Sequence, residues 1–314
     1  MTLKQTMIAL DALDDANATG EKVKELLGSY PDVTVEVKKV TGEKGSTDFI
    51  KIMIPGTEGK ANGGSAATFG IVGRLGGIGA RPTRTGLVSD ADGAVAAVAS
   101  ALKLADMQAK GDRLKGDVIV TTHICPDAPT RPHEPVDFMD SPVDIGAMNA
   151  HEVLPEMEAV LSIDTTKGNR VINHKGFAIS PTVKEGYILR VSEDLLRIME
   201  MTTGLLPVTF PITMQDITPY GNDLYHINSI LQPAVATSAP VVGVAVTTQS
   251  VVPGCGTGAS HEVDIAAAVR FAVETAKEVT NGTCAFYDEV EYELIGKLYG
   301  SMKTLQTAGK AQGK

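Results

Sequence analysis

The chain has 314 residues, 43% of them hydrophobic and 21% charged, which is enough to build a sizeable core. A formal net charge of −10 argues against a nucleic-acid partner, because neutralising phosphates requires a basic surface. Three cysteines make no disulfide framework, the amino terminus is acidic, and no apolar run is long enough to span a membrane, so we expect a cytoplasmic protein.

The first segments predict two helices followed by a hairpin. Apolar residues recur at helical spacing in residues 3–13, and a second short helix is expected over residues 21–27. Residues 33–37 alternate with the period of a strand, and residues 49–54 form a second strand that ends at Pro55-Gly56.

A glycine cluster, residues 73–79, follows the strand predicted over residues 68–72. Its spacing is not that of a dinucleotide fingerprint, and Pro82 soon interrupts it, so the glycines more simply let the backbone pass close to a neighbour or a ligand. Residues 94–110 then carry the apolar stripe of a helix, which Gly111 is expected to end.

The next strand ends in a histidine and a cysteine. Residues 118–122 are all β-branched, which predicts a strand buried on both faces of a parallel sheet. His123 and Cys125 follow before Pro126 ends regular pairing. Because ligands bind beyond the carboxyl ends of such strands, His123 is a candidate functional residue; the alternative is a buried histidine that is hydrogen-bonded to a neighbouring loop.

The second half predicts two further buried strands and two long helices. The strands cover residues 159–163 and 241–246. One helix follows Ser192, and the other runs from about residue 262 to residue 279 with Ser260 as its predicted cap.

Other stretches are expected to be less regular. Residues 128–155 contain five prolines and predict a long connection that acts as a lid or an assembly surface. Residues 208–213 predict an edge strand, because Pro211 cannot join a central ladder. The alternation of strands and helices predicts one α/β domain over residues 1–303, a three-layer α/β/α sandwich with a mixed, mainly parallel sheet, and a flexible tail over residues 304–314.

Acidic and histidine side chains follow several of these strands. They are Asp90, ahead of a helix, and then His123, Asp164 and His261. Such groups, brought together from separate strand ends, build co-catalytic zinc sites. The simpler interpretation of Asp90 or Asp92 is a helix N-cap.

Several segments also match a known family in order and in kind. They are Ser89-Asp-Ala-Asp-Gly93, Ser162-Ile-Asp164, Gly176-Phe-Ala-Ile-Ser-Pro181, Gly221-Asn-Asp223 and Ala239-Pro-Val-Val-Gly-Val-Ala-Val246. In this order the chain resembles the co-catalytic zinc aminopeptidases of the glutamyl and tetrahedral-aminopeptidase kind. The resemblance implies a metal-dependent hydrolase that cleaves amide or peptide bonds of small substrates, with zinc or another divalent metal, and it also implies a homo-oligomer.

The resemblance assigns roles to individual positions. It implies that Asp90 bridges two metal ions, that Asp164 binds the second ion, and that His261 is the last ligand. It also places Asp223 in a turn beside the substrate. Lys167, close to Asp164 in the sequence, is a candidate anion contact.

Two positions depart from the family's pattern. Arg74 falls where the first metal-binding histidine is expected, and an arginine does not ligate a metal. The paired glutamates that act as base and ligand would fall within residues 123–125, which contain no carboxylate. The family's inserted dimerisation domain also has no room between Arg74 and Asp90.

Three hypotheses remain open from the sequence. In the first, Asp90, His123, Asp164 and His261 form a rearranged single-metal site with Glu262 or Asp127 as the base. In the second, the metal has been lost, and Arg74 binds a carboxylate or phosphate ligand in the same pocket, so that the protein is a binding or regulatory module. In the third, Cys125 is a nucleophile that is paired with His123.

Overall fold

The computed structural model describes residues 2–74, 77–79, 86–132, 137–211, 224–250 and 260–308. A nine-stranded mixed sheet, in the order β1-β2-β4-β3-β7-β11-β9-β10 with β8 also paired to β11, has helices on both faces. The chain is therefore an α/β/α sandwich, as the sequence predicts. The strands are β1 (Thr34–Gly42), β2 (Gly45–Ile54), β3 (Phe69–Gly73), β4 (Val118–Ile124), β5 (Thr130–Arg131), β6 (Phe138–Met139), β7 (Ala159–Thr165), β8 (Gly176–Ile179), β9 (Val183–Lys184), β10 (Tyr187–Ile188) and β11 (Val241–Thr247).

Seven α-helices accompany the strands in the described residues. They are α1 (Leu3–Leu13), α2 (Gly20–Leu27), α3 (Asp92–Ala109), α4 (Ile145–Glu152), α5 (Glu193–Thr203), α6 (Glu262–Thr280) and α7 (Glu289–Tyr299). The core of the sheet, β4-β3-β7-β11, is parallel, and the β1–β2 hairpin adds an antiparallel edge, with β1 outermost. None of the helices described here is long and apolar enough to cross a membrane.

The alternation of side chains along β4 assigns its residues to the two faces of the sheet. Val120 and Ile124 pack in the main core with α1, α3 and α6. Ile119 packs on the opposite face, where α4 and a 3₁₀ helix, Ser229–Val235, cover the sheet. His123 has the same parity as Ile119, so it lies on this second face at the carboxyl end of the strand.

Glycines bring α3 unusually close to the central strands. A Cβ atom on Gly93, in the first turn of α3, would lie 2.5 Å from the backbone oxygens of both Arg74 and Ile163. A Cβ atom on Gly73 would lie 2.4 Å from the backbone oxygen of Gly93. The expectation that the glycine cluster permits close backbone approach is thus confirmed at Gly73.

The proline-rich connection is more ordered than the sequence predicts. Residues 128–155 contain β5, β6 and α4. Asp144 starts α4, because its side chain accepts a hydrogen bond of 2.7 Å from the backbone nitrogen of Ala147. About half of the described residues in this stretch lie outside helices and strands, as a loop-rich connection predicts, but the sequence did not predict α4, which lacks an apolar stripe.

Two other local predictions were also wrong. Residues 208–211 form no strand but one isolated bridge, between Ile179 and Thr209. The N-cap position of α6 is occupied by His261, and the Ser260 hydroxyl instead donates to Asp92, at 2.5 Å. Of the predicted tail, residues 309–314 lie outside the described residues, and within residues 304–308 the backbone nitrogen of Ala308 donates to the backbone oxygen of Val235, at 2.8 Å.

Candidate functional site

A cavity of about 650 Å³ opens at the carboxyl end of β4. Its walls are formed by residues 40–44, at the β1–β2 turn, and by residues between 139 and 148. Asp90, His123, Cys125 and Gln232 also line it, and all four are buried. A volume of this size suits a small molecule.

His123 is held by a carboxylate that comes from α4. Its Nδ1 atom makes a short hydrogen bond to Oε1 of Glu152, the last residue of that helix. The other carboxylate oxygen, Oε2, accepts a hydrogen bond from Nη1 of Arg74 at 2.5 Å. Arg74 and Glu152 have no solvent exposure, and His123 has only 2%. The three side chains thus form a continuous chain from the protein interior to the cavity.

Two amides fix the guanidinium of Arg74. Its Nη2 atom donates to Oδ1 of Asn149, at 2.9 Å, and to Oε1 of Gln232, at 2.8 Å. The nitrogen atoms of both amides have no hydrogen-bond partner among the described residues, and neither does Nε of Arg74. Because the amide oxygens are committed to Arg74, each amide must direct its N–H groups elsewhere.

The groups bonded to Glu152 favour its ionised form. Burial alone would raise the pKa of this carboxyl, but the charges and hydrogen bonds of His123 and Arg74 outweigh burial and hold the pKa below its ordinary value. An ionised carboxylate accepts a hydrogen bond from Nδ1–H, so whenever the imidazole is neutral its lone pair lies on Nε2. No described residue bonds to Nε2, which belongs to a ring that lines the cavity.

This arrangement is at odds with a ligand-binding role for Arg74. The guanidinium is completely buried, its charge is matched by Glu152, and Arg74 does not line the cavity. Binding an external carboxylate or phosphate would require breaking this pair in the interior, which is strongly unfavourable. Arg74 instead orients Glu152.

Cys125 lines the cavity but is poorly suited to be a nucleophile. Burial, the largest influence, and the nearby carboxylates of Asp127 and Asp48 raise the pKa of the thiol to about 11. The reactive form of cysteine is the thiolate, which is scarce near neutral pH at such a value. The hypothesis of a Cys125 nucleophile therefore loses its chemical basis.

Lys167 makes an internal ion pair. Its Nζ atom lies 2.6 Å from Oδ2 of Asp92, which the Ser260 hydroxyl also contacts. Burial raises the pKa of Asp92, and Lys167 opposes that shift. Lys167 is therefore committed to the start of α3 and is not among the residues that line the cavity.

Neither of the predicted bases lines the cavity. Asp127 is exposed and does not line the cavity. Glu262 lines a different depression, beside α1. Neither arrangement supports a role as the base, because a base has to reach the reacting atoms. Asp223, the predicted substrate contact, lies outside the described residues.

The four predicted metal ligands are differently placed. Asp90 and His123 line the same cavity, and Asp164 is buried on β7, where its Oδ1 accepts a hydrogen bond of 2.7 Å from the backbone nitrogen of Thr165. His261 is half exposed at the start of α6 and lies 3.7 Å from Asp264.

The residues that the structure describes do not fit a co-catalytic metal centre. Within the described ranges, no group of three or more histidine, cysteine, aspartate or glutamate side chains could hold a metal ion. Glu152, the carboxylate nearest to His123, has both oxygens bonded to protein groups, one of them the permanent cation of Arg74. A guanidinium thus occupies the place where the resemblance implies a metal ligand.

The sequence interpretation missed Glu152, Asn149 and Gln232. The first two lie on α4, in the stretch that was predicted as a loop, and the third lies on the 3₁₀ helix before β11. The one local signal for α4 is Asp144, a capping residue three positions after a serine and two after a proline. The missing carboxylate near residues 123–125 thus comes from another part of the chain.

Comparison with known families gives a match over most of the chain. A family model described as a protein of unknown function, DUF1177, matches residues 38–309. The chain belongs to that family. Comparison of this DUF1177 member with curated proteins gives no match.

Solved structures show the same fold elsewhere. A mutant of tomato leucine aminopeptidase is similar, with a TM-score of 0.51 and 11% sequence identity over 86% of the present chain. The DUF1177 chain spans 61% of that protein's length. At this identity the likeness shows the fold alone: an aminopeptidase-like α/β sandwich.

Proposed function

We propose that this protein hydrolyses an amide or peptide bond of a small substrate, with His123 as the general base. The observation that carries the proposal is the buried chain Arg74–Glu152–His123, which ends at the cavity. The reaction class comes from the resemblance to the co-catalytic zinc aminopeptidases and from the aminopeptidase-like fold.

His123 would move the proton in both halves of the reaction. Its Nε2 takes a proton from a water molecule as the water oxygen attacks the substrate carbonyl. The imidazolium that forms keeps its Nδ1–H on the Glu152 carboxylate, which stabilises the new positive charge. Nε2 then returns the proton to the leaving amine, so the histidine ends in its starting state.

Arg74 would not contact the substrate and would act through Glu152. Glu152 stabilises an imidazolium only while it is itself ionised, and the neighbouring guanidinium favours that state. Asn149 fixes the guanidinium from the same helix that carries Glu152. Arg74 and Asn149 are therefore positioning residues.

Gln232 is the candidate donor to the carbonyl oxygen. Its Oε1 is committed to Arg74, its Nε2 has no partner among the described residues, and the residue lines the cavity with His123. An amide N–H fixed in this way can stabilise the negative charge that develops on a carbonyl oxygen during attack. A base and a fixed donor on one cavity are the minimum that amide hydrolysis requires.

No step of this mechanism passes through a metal ion. The resemblance implies zinc, but the donor set around His123 does not fit such a centre. We therefore expect chelators to leave the activity unchanged.

A panel of aminoacyl and acyl p-nitroanilides tests the proposal. We expect His123→Ala to lower kcat/KM by about 10²- to 10⁴-fold, the usual contribution of a general base. His151→Ala is the matched control, because His151 packs on the same ring, Phe49, at 4.7 Å between centroids but does not line the cavity. Gln232→Leu should lower kcat more than it raises KM, since it removes a contact made in the transition state.

Two results would contradict the proposal. One is hydrolysis that His123→Ala leaves intact. The other is the absence of turnover across the panel together with stoichiometric binding of a panel member, as expected of a binding module.

A further inference from the structure

The cavity at the end of β4 has charged side chains at its rim and few in its buried wall. The exposed lining residues that carry a charge are Glu43, Lys44, Arg131 and Asp144. Among the buried lining residues that the structure describes, only Asp90 and His123 have ionisable side chains other than the Cys125 thiol. The interior of the cavity is therefore mainly apolar around the proposed base.

One apolar wall lies on the β3 side of His123. It consists of Cys125, Ala128 and Met139, which line the cavity and pack in one buried cluster. Cys125 lies two residues beyond His123 and pairs with Gly77, after β3, so the two side chains point to the same face of the sheet. A Cβ atom on Gly77 would lie 2.2 Å from Sδ of Met139, so this methionine packs directly on the backbone beside Cys125. We call these three residues the first wall.

A second apolar wall lies on the β2 side of His123. Phe49 is the residue of β2 that pairs with His123, and the centroids of the two rings are 5.3 Å apart. Phe49 packs in one buried cluster with Val143 and Met148, and these two residues, the second wall, line the cavity. Because β4 lies between β2 and β3, the proposed base lies between the two walls.

These walls are unfavourable for a charged group next to the scissile bond. A carboxylate there would meet no buried lysine or arginine among the described lining residues, because Arg74 does not line the cavity and is paired with Glu152. An ammonium group would meet Asp90, but Asp90 already has a partner within the chain, with which the ammonium would compete. Burying a charge without a dedicated partner costs far more free energy than burying a neutral amide, whose carbonyl the Gln232 amide can bind.

We infer that the substrate is a neutral amide with an apolar group on each side of the scissile bond. The inference rests on the proposed function, and it narrows the substrate class to amides that carry neither an α-ammonium nor an α-carboxylate group. It therefore excludes both a free amino terminus and an acylated amino acid as the preferred substrate. Each wall contains one methionine, and thioether side chains adapt to apolar groups of different shape, so we expect both linear and branched aliphatic groups to be accepted.

Three amides with one carbon skeleton test the charge preference. Isocaproyl isoamylamide is neutral, leucine isoamylamide adds only an α-ammonium group on the acyl side, and isocaproyl-leucine adds only an α-carboxylate on the amine side. Hydrolysis of each by the wild type is followed by quantifying the released amine by chromatography. The neutral amide should have a kcat/KM at least about tenfold above that of either charged compound, since each charge has to leave water without a dedicated partner.

Binding to His123→Ala separates substrate recognition from catalysis. This variant lacks the proposed base, so titration calorimetry with the same three amides reports affinity alone. The neutral amide should again bind at least about tenfold more tightly than either charged compound. This measurement gives an answer even if the wild type hydrolyses none of the three.

The two methionines test the assignment of one wall to each side of the amide. Met139→Ala and Met148→Ala each enlarge one wall, so each should favour amides that are lengthened on one side of the scissile bond, by roughly tenfold in kcat/KM relative to the parent amide. The two variants should act on opposite sides. Met199→Ala is the matched control, because Met199 is 2% exposed, as Met148 is 3% exposed, but lies in the main core. Comparing ratios between substrates removes any effect of a smaller folded fraction.

The outcomes distinguish this inference from the proposed function. Equal hydrolysis of all three amides, or a preference for either charged one, would overturn the inference and leave the proposed function standing. Selective binding of the neutral amide without turnover would support the inference and count against the proposed function. Failure of all three amides to bind, or methionine variants that both act on the same side of the amide, would also overturn the inference.

Discussion

Replacing Glu152 with glutamine is the most direct test of the buried Arg74–Glu152–His123 chain of hydrogen bonds. The substitution keeps the shape of the side chain but removes the negative charge, so Arg74, which has no solvent exposure, keeps a positive charge without a counter-ion. Breaking a buried ion pair by removing one partner costs about 3–5 kcal/mol. At about 2–4 °C per kcal/mol for a large domain, the expected fall in Tm is about 10 °C.

A double-mutant cycle separates the pair from simple loss of packing. We expect Arg74→Met with Glu152→Gln to recover much of the stability lost in Glu152→Gln alone, because an apolar replacement removes the unpaired charge. Urea unfolding at pH 7, followed by circular dichroism, measures each free energy of unfolding. Glu274→Gln is the control, because Glu274 forms a comparable 2.7 Å pair with Lys277 at the surface, where the expected loss is below about 1 kcal/mol.

The reasoning would be refuted by either of two results. The first is a loss for Glu152→Gln no larger than that for Glu274→Gln. The second is a double mutant whose loss equals the sum of the two single losses, since additive effects would mean that Arg74 and Glu152 do not interact energetically.

Three further predictions concern neighbouring features. The pKa of Glu152 is held below its ordinary value of 4.5, so the ionised carboxylate stabilises the fold fully above pH 4.5 and loses this effect as the pH falls through the lowered pKa. When the free energy of unfolding is measured at decreasing pH, the values for the wild type and for Glu152→Gln should therefore converge. Parallel curves would contradict this prediction. Gly93→Ala should lower the free energy of unfolding by about 1–3 kcal/mol, because the new methyl group meets two backbone oxygens at 2.5 Å; an unchanged urea midpoint would show that α3 shifts freely. Cys125→Ser should retain hydrolytic activity, since burial raises the pKa of the thiol to about 11, and a loss comparable to that of His123→Ala would restore the nucleophile hypothesis.

The regular parts of the fold could be predicted because their signals are local. The β-branched run in residues 118–122 predicted β4, and the helical spacing of apolar residues predicted α1, α3 and α6. The end of β4 also identified His123 as a candidate, because the sheet topology alone directs that position to a cavity.

The partners of His123 could not be predicted in the same way. Glu152 lies 29 residues further along the chain, on a short helix in a proline-rich stretch, and nothing in its local sequence indicates which side chain it meets. Arg74 posed the opposite problem, because an arginine after a glycine resembles an exposed anion contact. Its burial depends on partners 75, 78 and 158 residues away.

Helix α7 illustrates a different limit. Its apolar residues repeat every four positions, but glutamates alternate with them, and the helix follows an Asn281-Gly282 break. The structure shows that it ends up on the outside of the domain, with Asp288 as its N-cap. The sequence therefore predicted no helix here, since charged residues alternate with the apolar ones and none of the eleven residues is buried in the domain.

The long sequence separation between Arg74 and its hydrogen-bond partners has a consequence for folding during translation. A nascent chain that has emerged only through β4 contains the guanidinium but none of Asn149, Glu152 or Gln232. Burying that cation early would be strongly unfavourable, so the amino-terminal half should not settle into its native sheet during translation. Ribosome-bound chains halted before residue 149 should remain sensitive to proteases. The central strands should form the stable native sheet only after residue 232 has left the exit tunnel.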